Sequence, residues 1–135
     1  MKIYTAIFAG YDCLRSPRVI NPGWDHVCIC NPQIPVPAPW RTSVRNSVGS
    51  PRFSARHYKI LSHRTFPDTS VTIWHGGNVQ LTADPLLLLD IMGDADIATL
   101  RHSERTNVYH EAEVCARWGK GKPSVISAQM HRYEA

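Results

Sequence analysis

Short apolar runs bounded by turn-forming residues predict the strands of this chain. Ile3 to Ala9 and Asp25 to Asn31 have the length and apolar content of buried strands, and Val71 to Trp74 is a third such run. Asn78 to Thr82 and Ile97 to Leu100 are weaker segments that are predicted as further short strands. The pattern therefore distributes strands along most of the chain.

Capping residues and helical spacing predict helices that alternate with these strands or follow them. They run from Ser50 to Phe66, from Asp84 to Gly93, from Asn107 to Trp118 and from Ser124 to Tyr133. Ser50 offers a side-chain cap and Pro51 fits a first turn, while Gly93 favours an end to the second helix. Alternating strands and helices are typical of an α/β fold with a mainly parallel sheet, and 135 residues fit a compact single domain, 1–135.

Composition favours an ordinary folded protein that does not enter a membrane. The chain is 43% hydrophobic and 19% charged, and none of its apolar runs approaches the roughly 20 residues that cross a bilayer. The first apolar stretch is too short for a signal peptide, so the expected location is cytoplasmic. The cysteines lack the spacing of a metal site. All four are predicted to be buried thiols, and Cys28 and Cys30, two apart in a strand, are predicted to share one sheet face.

Charge is distributed unevenly along the chain. Residues 27–66 contain six Lys and Arg residues and no Asp or Glu, whereas residues 68–135 contain six basic and nine acidic residues. Arg56, Lys59 and His63 form a basic stripe on the first predicted helix, and Arg64 follows as a further cation able to clamp two oxygens. Such a stripe can hold a diphosphate, because arginine binds two oxygens as a fork and lysine acts as a point charge. The alternative is a solvated helix face whose arginines pair with acidic residues.

A ligand is expected at the carboxyl ends of the predicted strands, because open parallel sheets bind ligands beyond those ends. The loops after Phe8, Trp74 and Leu100 qualify. At the second of these, residues 75–78 read His-Gly-Gly-Asn, so a strand ends on a ring that can bind metal and then turns on two glycines. Residues 94–96, Asp-Ala-Asp, spell a two-aspartate metal signature, but they precede a predicted strand and are interpreted as turn residues.

Four segments together resemble a known family. "YTAIFAGYDCLRSP", "SARHYKILSHRTFPD", "TIWHGGNVQLTADP" and "RHSERTNVYHEAE" have the order and spacing of the TOD1/MUCI70-like glycosyltransferase-like family, formerly known only as a domain of unknown function, with plant cell-wall, bacterial and phage members. The resemblance spans Tyr4 to about Glu113. It implies a Rossmann-like, GT-A-type domain that transfers a sugar from a nucleotide-diphosphate sugar, above all a UDP-sugar, to an acceptor hydroxyl, with Mn²⁺ or Mg²⁺ as a possible cofactor.

The resemblance also implies roles for individual residues. The implied nucleotide-sugar-binding residues are Tyr4, Thr5, Ala6, Gly10, Tyr11, Asp12, Arg56, Lys59, His63, Arg64, Trp74, Gly76, Gly77 and Asn78. The residues implied to line the reaction centre are Glu111, His102, Arg105 and Tyr109. A carboxylate is needed either as the base that takes the acceptor proton or to stabilise a cation-like sugar. Glu111 is chosen for that role, with Glu113 as the alternative.

The chain departs from the family pattern at the corner after Trp74. The family reads WIDGN there, with an Asp suited to a metal-bound diphosphate, whereas this chain has Gly76 in its place and His75 one position earlier. Three alternatives follow: His75 binds the metal, the basic helix replaces the metal, or catalysis has been lost. A second family Asp, after the second strand, is Asn31 here.

The chain also ends soon after the last family segment, where other members continue with a portion that helps to bind acceptor. One interpretation is a compact enzyme of phage type that completes its site as a homo-oligomer. A second is a phage DNA glycosyltransferase that acts on modified bases and contacts the backbone through the positive segment Arg41 to Arg64. A third is an inactive or truncated nucleotide-sugar-binding domain. The acceptor is expected to be a glycan, a small molecule or DNA.

Overall fold

The computed structural model of the protein describes residues 1–134, and the chain divides into two compact units. The first unit runs from Met1 to Gly93, and the second begins at Asp94. The first contains the strands β1 (Lys2–Ile7), β2 (Asp25–Cys30), β3 (Arg41–Val44) and β4 (Thr72–Trp74), and the helices α1 (Pro51–Ile60), α2 (Ser62–Thr65) and α3 (Leu86–Met92). The described part of the second contains α4 (Val108–Arg117) and α5 (Pro123–Glu134). One domain over 1–135 stays a prediction.

The sheet is parallel throughout, with the strand order β3-β2-β1-β4. β1 lies in its interior, paired with β2 on one side and with β4 on the other. The chain builds outward from β1 through β2 to β3 and then returns to the opposite edge as β4. This order places a topological switch point between β1 and β4 and confirms the predicted Rossmann-like α/β fold.

Alternation along β1 and β2 buries both faces of the sheet. One face contributes a cluster that includes Ile3, Ile7, Cys28, Cys30 and Trp40. The other contributes Tyr4, Ala6, Phe8, Val27 and Ile29, against which Ala55 and Tyr58 of α1 pack. Cys28 and Cys30 are free and buried on one face, as predicted, whereas Cys13 is exposed and Cys115 is half-buried, so the prediction of buried thiols is wrong for Cys13. Burial raises the pKa of Cys28 to about 12, so this thiol is not a nucleophile at neutral pH.

α1 begins where the sequence predicts and ends earlier. The Ser50 hydroxyl accepts a hydrogen bond from the N–H of Phe53 at 3.3 Å and caps the helix. The helix ends at Leu61, with φ −99° and ψ 37°, and α2 follows as a separate short helix. The Leu61 carbonyl accepts the Thr65 N–H at 3.1 Å, so a new turn starts there. The prediction of one helix to Phe66 is therefore wrong beyond Leu61.

Two predicted strands do not form, and one strand was not predicted. The segment 78–82 is irregular, and its Leu81 carbonyl accepts the Arg18 N–H at 2.8 Å instead of pairing in the sheet. The segment 97–100 pairs with no strand in the described chain. The residues at its two ends, Ile97 and Leu100, are 86% and 88% exposed. β3 is a polar edge strand that pairs only with β2. The pattern of apolar residues therefore predicts two strands that do not form and misses β3.

The second unit contributes two of the predicted helices. Asn107 caps α4, because its side-chain oxygen accepts the His110 N–H at 2.8 Å. Ala112 is buried on this helix. In the part of the chain that the structure describes, the helices are too short or too polar to cross a bilayer.

Candidate functional site

A cleft opens at the switch point between β1 and β4, where the carboxyl ends of these strands lie. Its volume is about 110 Å³. The lining comes from the end of β1 and its following loop, from the corner after β4 and from the start of α1. The lining residues are Ala6, Ile7, Phe8, Tyr11, Asp12, Pro51, Arg52, Ala55, Arg56, Trp74, Gly76 and Gly77. Three segments that are distant in sequence therefore converge at the position where this fold class binds ligands.

The loop after β1 is fixed by a tight turn. The Tyr11 N–H donates to the Phe8 carbonyl at 3.2 Å, and the residues between them, Ala9 and Gly10, have φ angles of 53° and 65°. Glycine adopts such angles freely, whereas alanine does so at a cost in free energy. The Ala9 N–H donates to the Asn31 side-chain oxygen at 3.2 Å, which ties the turn to the end of β2. The turn brings Tyr11 to the cleft.

The corner after β4 requires one of its two glycines. A Cβ on Gly77 would lie 2.8 Å from the Asp12 Cβ and 2.8 Å from the Ile7 Cδ1, closer than packed carbons approach. The loop after β1 reaches this corner only because Gly77 has no side chain. A Cβ on Gly76 would lie 3.1 Å from the Asn78 side-chain oxygen, which can turn away. Gly76 is therefore not required by packing.

α1 supplies the cationic side of the cleft. Arg52 and Arg56 are one helical turn apart and both line it, and the helix N-terminus adds partial positive charge. Lys59 follows on the same face, with its Nζ 5.9 Å from the centre of the Trp74 ring. Within residues 1–93, neither Arg56 nor Lys59 forms an ion pair with a carboxylate. Both cations are therefore available to an anionic ligand.

Half of the predicted nucleotide-sugar residues meet at the cleft. These are Ala6, Tyr11, Asp12, Arg56, Trp74, Gly76 and Gly77. Tyr4 and Thr5 are instead buried inside the sheet, and the Tyr4 hydroxyl donates to the Lys59 carbonyl at 3.0 Å. Arg64 lines a different cavity. The cleft lining also leaves out Gly10, Lys59, His63 and Asn78.

Five lining residues were not predicted from the sequence: Ile7, Phe8, Pro51, Arg52 and Ala55. Two of them had a usable sequence signal. Arg52 precedes Arg56 by four residues, which places both on one helix face. Phe8 is two residues after Ala6, so both point to the same side of the strand line.

His75 is a buried histidine beside the cleft. Its Nδ1 donates to the Gly76 carbonyl at 2.7 Å, and its ring lies 5.1 Å from the Trp40 ring. Residues 1–134 contain no group of three or more His, Cys, Asp or Glu side chains arranged to hold a metal, so an all-protein metal site around His75 does not fit. A metal held mainly by substrate phosphates needs only one or two carboxylates. Asp12 is the acidic residue in the described lining of the cleft.

In the second unit, three residues predicted for the reaction centre form a cluster. The Arg105 Nε lies 2.8 Å from the Glu111 Oε2 as an ion pair, although the N–H does not point at that oxygen. The Arg105 guanidinium also contacts the His102 Nε2. The Cys115 thiol donates to the Glu111 Oε1 at 3.3 Å. The fourth predicted residue, Tyr109, is exposed on α4.

These contacts favour the ionised form of Glu111. The hydrogen bond from Cys115 lowers the pKa of Glu111 and the positive charge of Arg105 lowers it further, while partial burial opposes these effects. A carboxylate with a lowered pKa stays ionised and is a weaker base. The surroundings of Glu111 therefore suit a fixed negative charge better than a general base.

Comparison with known proteins reveals the family. The model of the TOD1/MUCI70, glycosyltransferase-like domain matches residues 40–135. The chain belongs to this family. The matched range contains α1, β4 and the Arg105–Glu111 cluster, whereas β1 and β2 precede it. The family resemblance predicted from the sequence is confirmed over this range, which includes three of the four quoted segments.

Two relatives from Arabidopsis thaliana are similar to part of the chain. A protein named alkaline ceramidase TOD1 is 37% identical over 79 residues, which cover 56% of this chain and 17% of that protein. A protein named probable hexosyltransferase MUCI70 is 30% identical over 100 residues, which cover 70% of this chain and 17% of that protein. The chain thus spans a small part of the length of either relative. No solved structure gives a significant match.

Proposed function

We propose that the chain is a glycosyltransferase domain that binds a nucleoside-diphosphate sugar, with a UDP-sugar as the first choice, in the cleft between β1 and β4. One observation carries the proposal: the cationic first turns of α1, the Asp12 loop and the Gly77 corner converge there. Family membership supports the transferase class, and the hexosyltransferase name of one relative supports a hexose as the transferred sugar.

The cleft accommodates part of such a donor. Sites for small ligands typically have about 300–1,000 Å³, whereas this cleft has about 110 Å³. The diphosphate is the part of the donor that suits the cleft, because Arg56 can donate two parallel hydrogen bonds to it and the α1 N-terminus favours an anion. The nucleoside would extend from the cleft over Tyr11, whose side chain is largely exposed.

A divalent metal fits as a companion of the diphosphate. Asp12 would hold it through a carboxylate oxygen, with phosphate oxygens and water as the remaining ligands. Such a metal would supply positive charge that offsets the negative charge of a leaving diphosphate. Arg56 and Lys59 contribute to the same neutralisation from the helix side.

Within the second unit, Glu111 is proposed as the carboxylate of the transfer reaction, in the form of a fixed negative charge. This role combines the family pattern with the lowered pKa of Glu111. The acceptor in this proposal is a hydroxyl of a glycan, a small molecule or DNA. A DNA acceptor would be revealed by an affinity for duplex DNA that falls steeply with salt.

The test measures donor binding and transfer separately. Calorimetric titration with UDP-glucose and Mn²⁺ is expected to saturate, and Arg56→Ala is expected to weaken binding by about tenfold. Arg101→Ala, at an exposed arginine of the second unit, is the matched control and should bind like the wild type. Release of UDP on addition of acceptor would demonstrate turnover.

Two outcomes would redirect the assignment. Donor binding without UDP release under any acceptor would favour an inactive binding domain. Hydrolysis of ceramide without any use of a nucleotide-sugar, the reaction in the name of the other relative, would contradict the transferase proposal.

A further inference from the structure

A second cavity lies on a different side of α1 from the cleft. Its volume is about 320 Å³, and its lining consists of Arg45, His57, Tyr58, Leu61, Arg64 and Thr65. None of these residues belongs to the described lining of the cleft. The periodicity of an α-helix points His57 away from the face that carries Arg52 and Arg56. The two cavities are therefore separate features of the first unit.

The walls of this second cavity are held by backbone and ring contacts. Arg45 directly follows β3, and its N–H donates to the Cys30 carbonyl at 3.1 Å. The Tyr58 ring stacks on the Phe8 ring with centroids 5.7 Å apart, and the Tyr58 hydroxyl donates to the Asn46 carbonyl at 3.1 Å. These contacts fix the backbone at Arg45 and the ring of Tyr58 in the walls of the cavity.

The second cavity has an excess of positive charge. Within residues 1–93 neither Arg45 nor Arg64 forms an ion pair with a carboxylate, and residues 27–66 contain no Asp or Glu. Arg45 and Arg64 are both exposed and line the same cavity, so an anion there would be attracted by both guanidinium charges. Each can donate paired hydrogen bonds to a phosphate, and His57 adds an N–H donor.

We propose that the second cavity is an anion site for the phosphate group of a small phosphorylated molecule, separate from the donor cleft. Its volume lies at the lower end of the range for small-ligand sites, about 300–1,000 Å³, and leaves space for a sugar beside the phosphate. The phosphate can belong to a phosphorylated acceptor or be free inorganic phosphate. This site does not depend on the donor assignment, because no lining residue is shared.

The test uses inorganic phosphate and glucose 6-phosphate as probes. Both are titrated into the full chain by calorimetry, with chloride at equal ionic strength as the reference. Saturable binding is expected, and Arg45→Ala and Arg64→Ala should each weaken it by about tenfold. Arg45→Lys and Arg64→Lys keep the positive charge but lose the paired hydrogen bonds of the guanidinium, so they should retain part of the affinity for phosphate. These lysine variants also replace an alanine variant that does not fold. Arg101→Ala should bind like the wild type.

Comparison of the two probes identifies the source of the phosphate. Tighter binding of glucose 6-phosphate would support a phosphorylated sugar, and equal binding would support phosphate alone. Both results agree with an anion site.

Titration with UDP separates the second cavity from the cleft. Arg56→Ala should weaken UDP binding and leave phosphate binding at the second cavity unchanged, and Arg64→Ala should do the reverse. The proposal is overturned if neither Arg45→Ala nor Arg64→Ala affects phosphate binding, or if Arg101→Ala weakens it as strongly as they do. Absence of UDP binding together with the expected phosphate pattern would reject the donor cleft and retain this site.

Discussion

Gly76 and Gly77 are neighbours whose missing side chains have different consequences. Gly77 lies where the loop after β1 touches the corner after β4, whereas Gly76 has space for a Cβ apart from the end of the Asn78 side chain. The same contrast separates Tyr4 from Tyr11, since Tyr4 is 1% exposed and Tyr11 is 72% exposed. Packing therefore decides which residues of a family-like segment remain available to a ligand.

Gly77→Ala is expected to destabilise the protein by about 1–3 kcal/mol, because the added methyl overlaps carbons of Asp12 and Ile7 that belong to a packed segment. Gly76→Ala is the matched control and should cost clearly less, because only the Asn78 side chain must move. Urea unfolding midpoints measure both effects. Equal destabilisation by the two substitutions would contradict the packing argument.

His26 and His75 flank the Trp40 ring as buried histidines. The His26 and His75 rings lie 5.2 Å and 5.1 Å from it. Neither Nε2 has a hydrogen-bond partner among the residues that the structure describes. Burial lowers the pKa of both histidines from 6.5, so the fold favours their neutral forms.

The stability of the protein is expected to fall on mild acidification because of these histidines. The unfolded chain takes up protons near pH 6.5, before the folded chain does, so the contribution of the neutral rings is complete above that pH and is lost as the pH falls through the folded-state values. The urea midpoint should therefore be lower at about pH 5.5 than at about pH 7.5. His75→Gln should reduce this difference, whereas His110→Gln, at an exposed position, should leave it unchanged.

Elements with local signals could be predicted, and those that depend on distant partners could not. Local sequence alone determines the helix caps at Ser50 and Asn107 and the alternation along β1. The segment 97–100 has strand-like composition but finds no pairing strand in the described chain, while polar β3 forms because β2 offers it an edge. The same distinction applies to the cleft, of which the sequence predicts only part of the lining. The other lining residues lie at the cleft because α1 and β1 place them beside the predicted ones.

Ser50→Ala tests whether the cap of α1 supports the cationic side of the cleft. Loss of the hydrogen bond to the Phe53 N–H is expected to cost about 1 kcal/mol of stability. Fraying of the first turn would also displace Arg52, so UDP affinity should fall modestly. Ser127→Ala, at an exposed position of α5, is the control for the loss of a serine hydroxyl. An unchanged unfolding midpoint in Ser50→Ala would show that the cap does not hold the helix.

At the scale of the whole molecule, the residues proposed to bind the donor and those proposed for the reaction belong to different units. The entire sheet, both core clusters and the cleft belong to Met1–Gly93. The ion pair of Arg105 with Glu111 belongs to the second unit. Folding of the donor site is therefore expected to need only the first unit, because its core contains no residue after Leu89.

A fragment of residues 1–93 is accordingly expected to fold and to bind UDP with an affinity within about tenfold of the full chain, but to transfer no sugar. The full chain with Glu111→Gln is the matched comparison, because it retains both units and loses the negative charge proposed for the transfer reaction. It should bind UDP like the wild type and release no UDP with acceptor. A fragment that folds, as judged by circular dichroism and cooperative urea unfolding, yet fails to bind UDP would show that the donor site needs residues beyond Gly93. Sugar transfer by the fragment would remove Glu111 from the mechanism, since that carboxylate is absent from it.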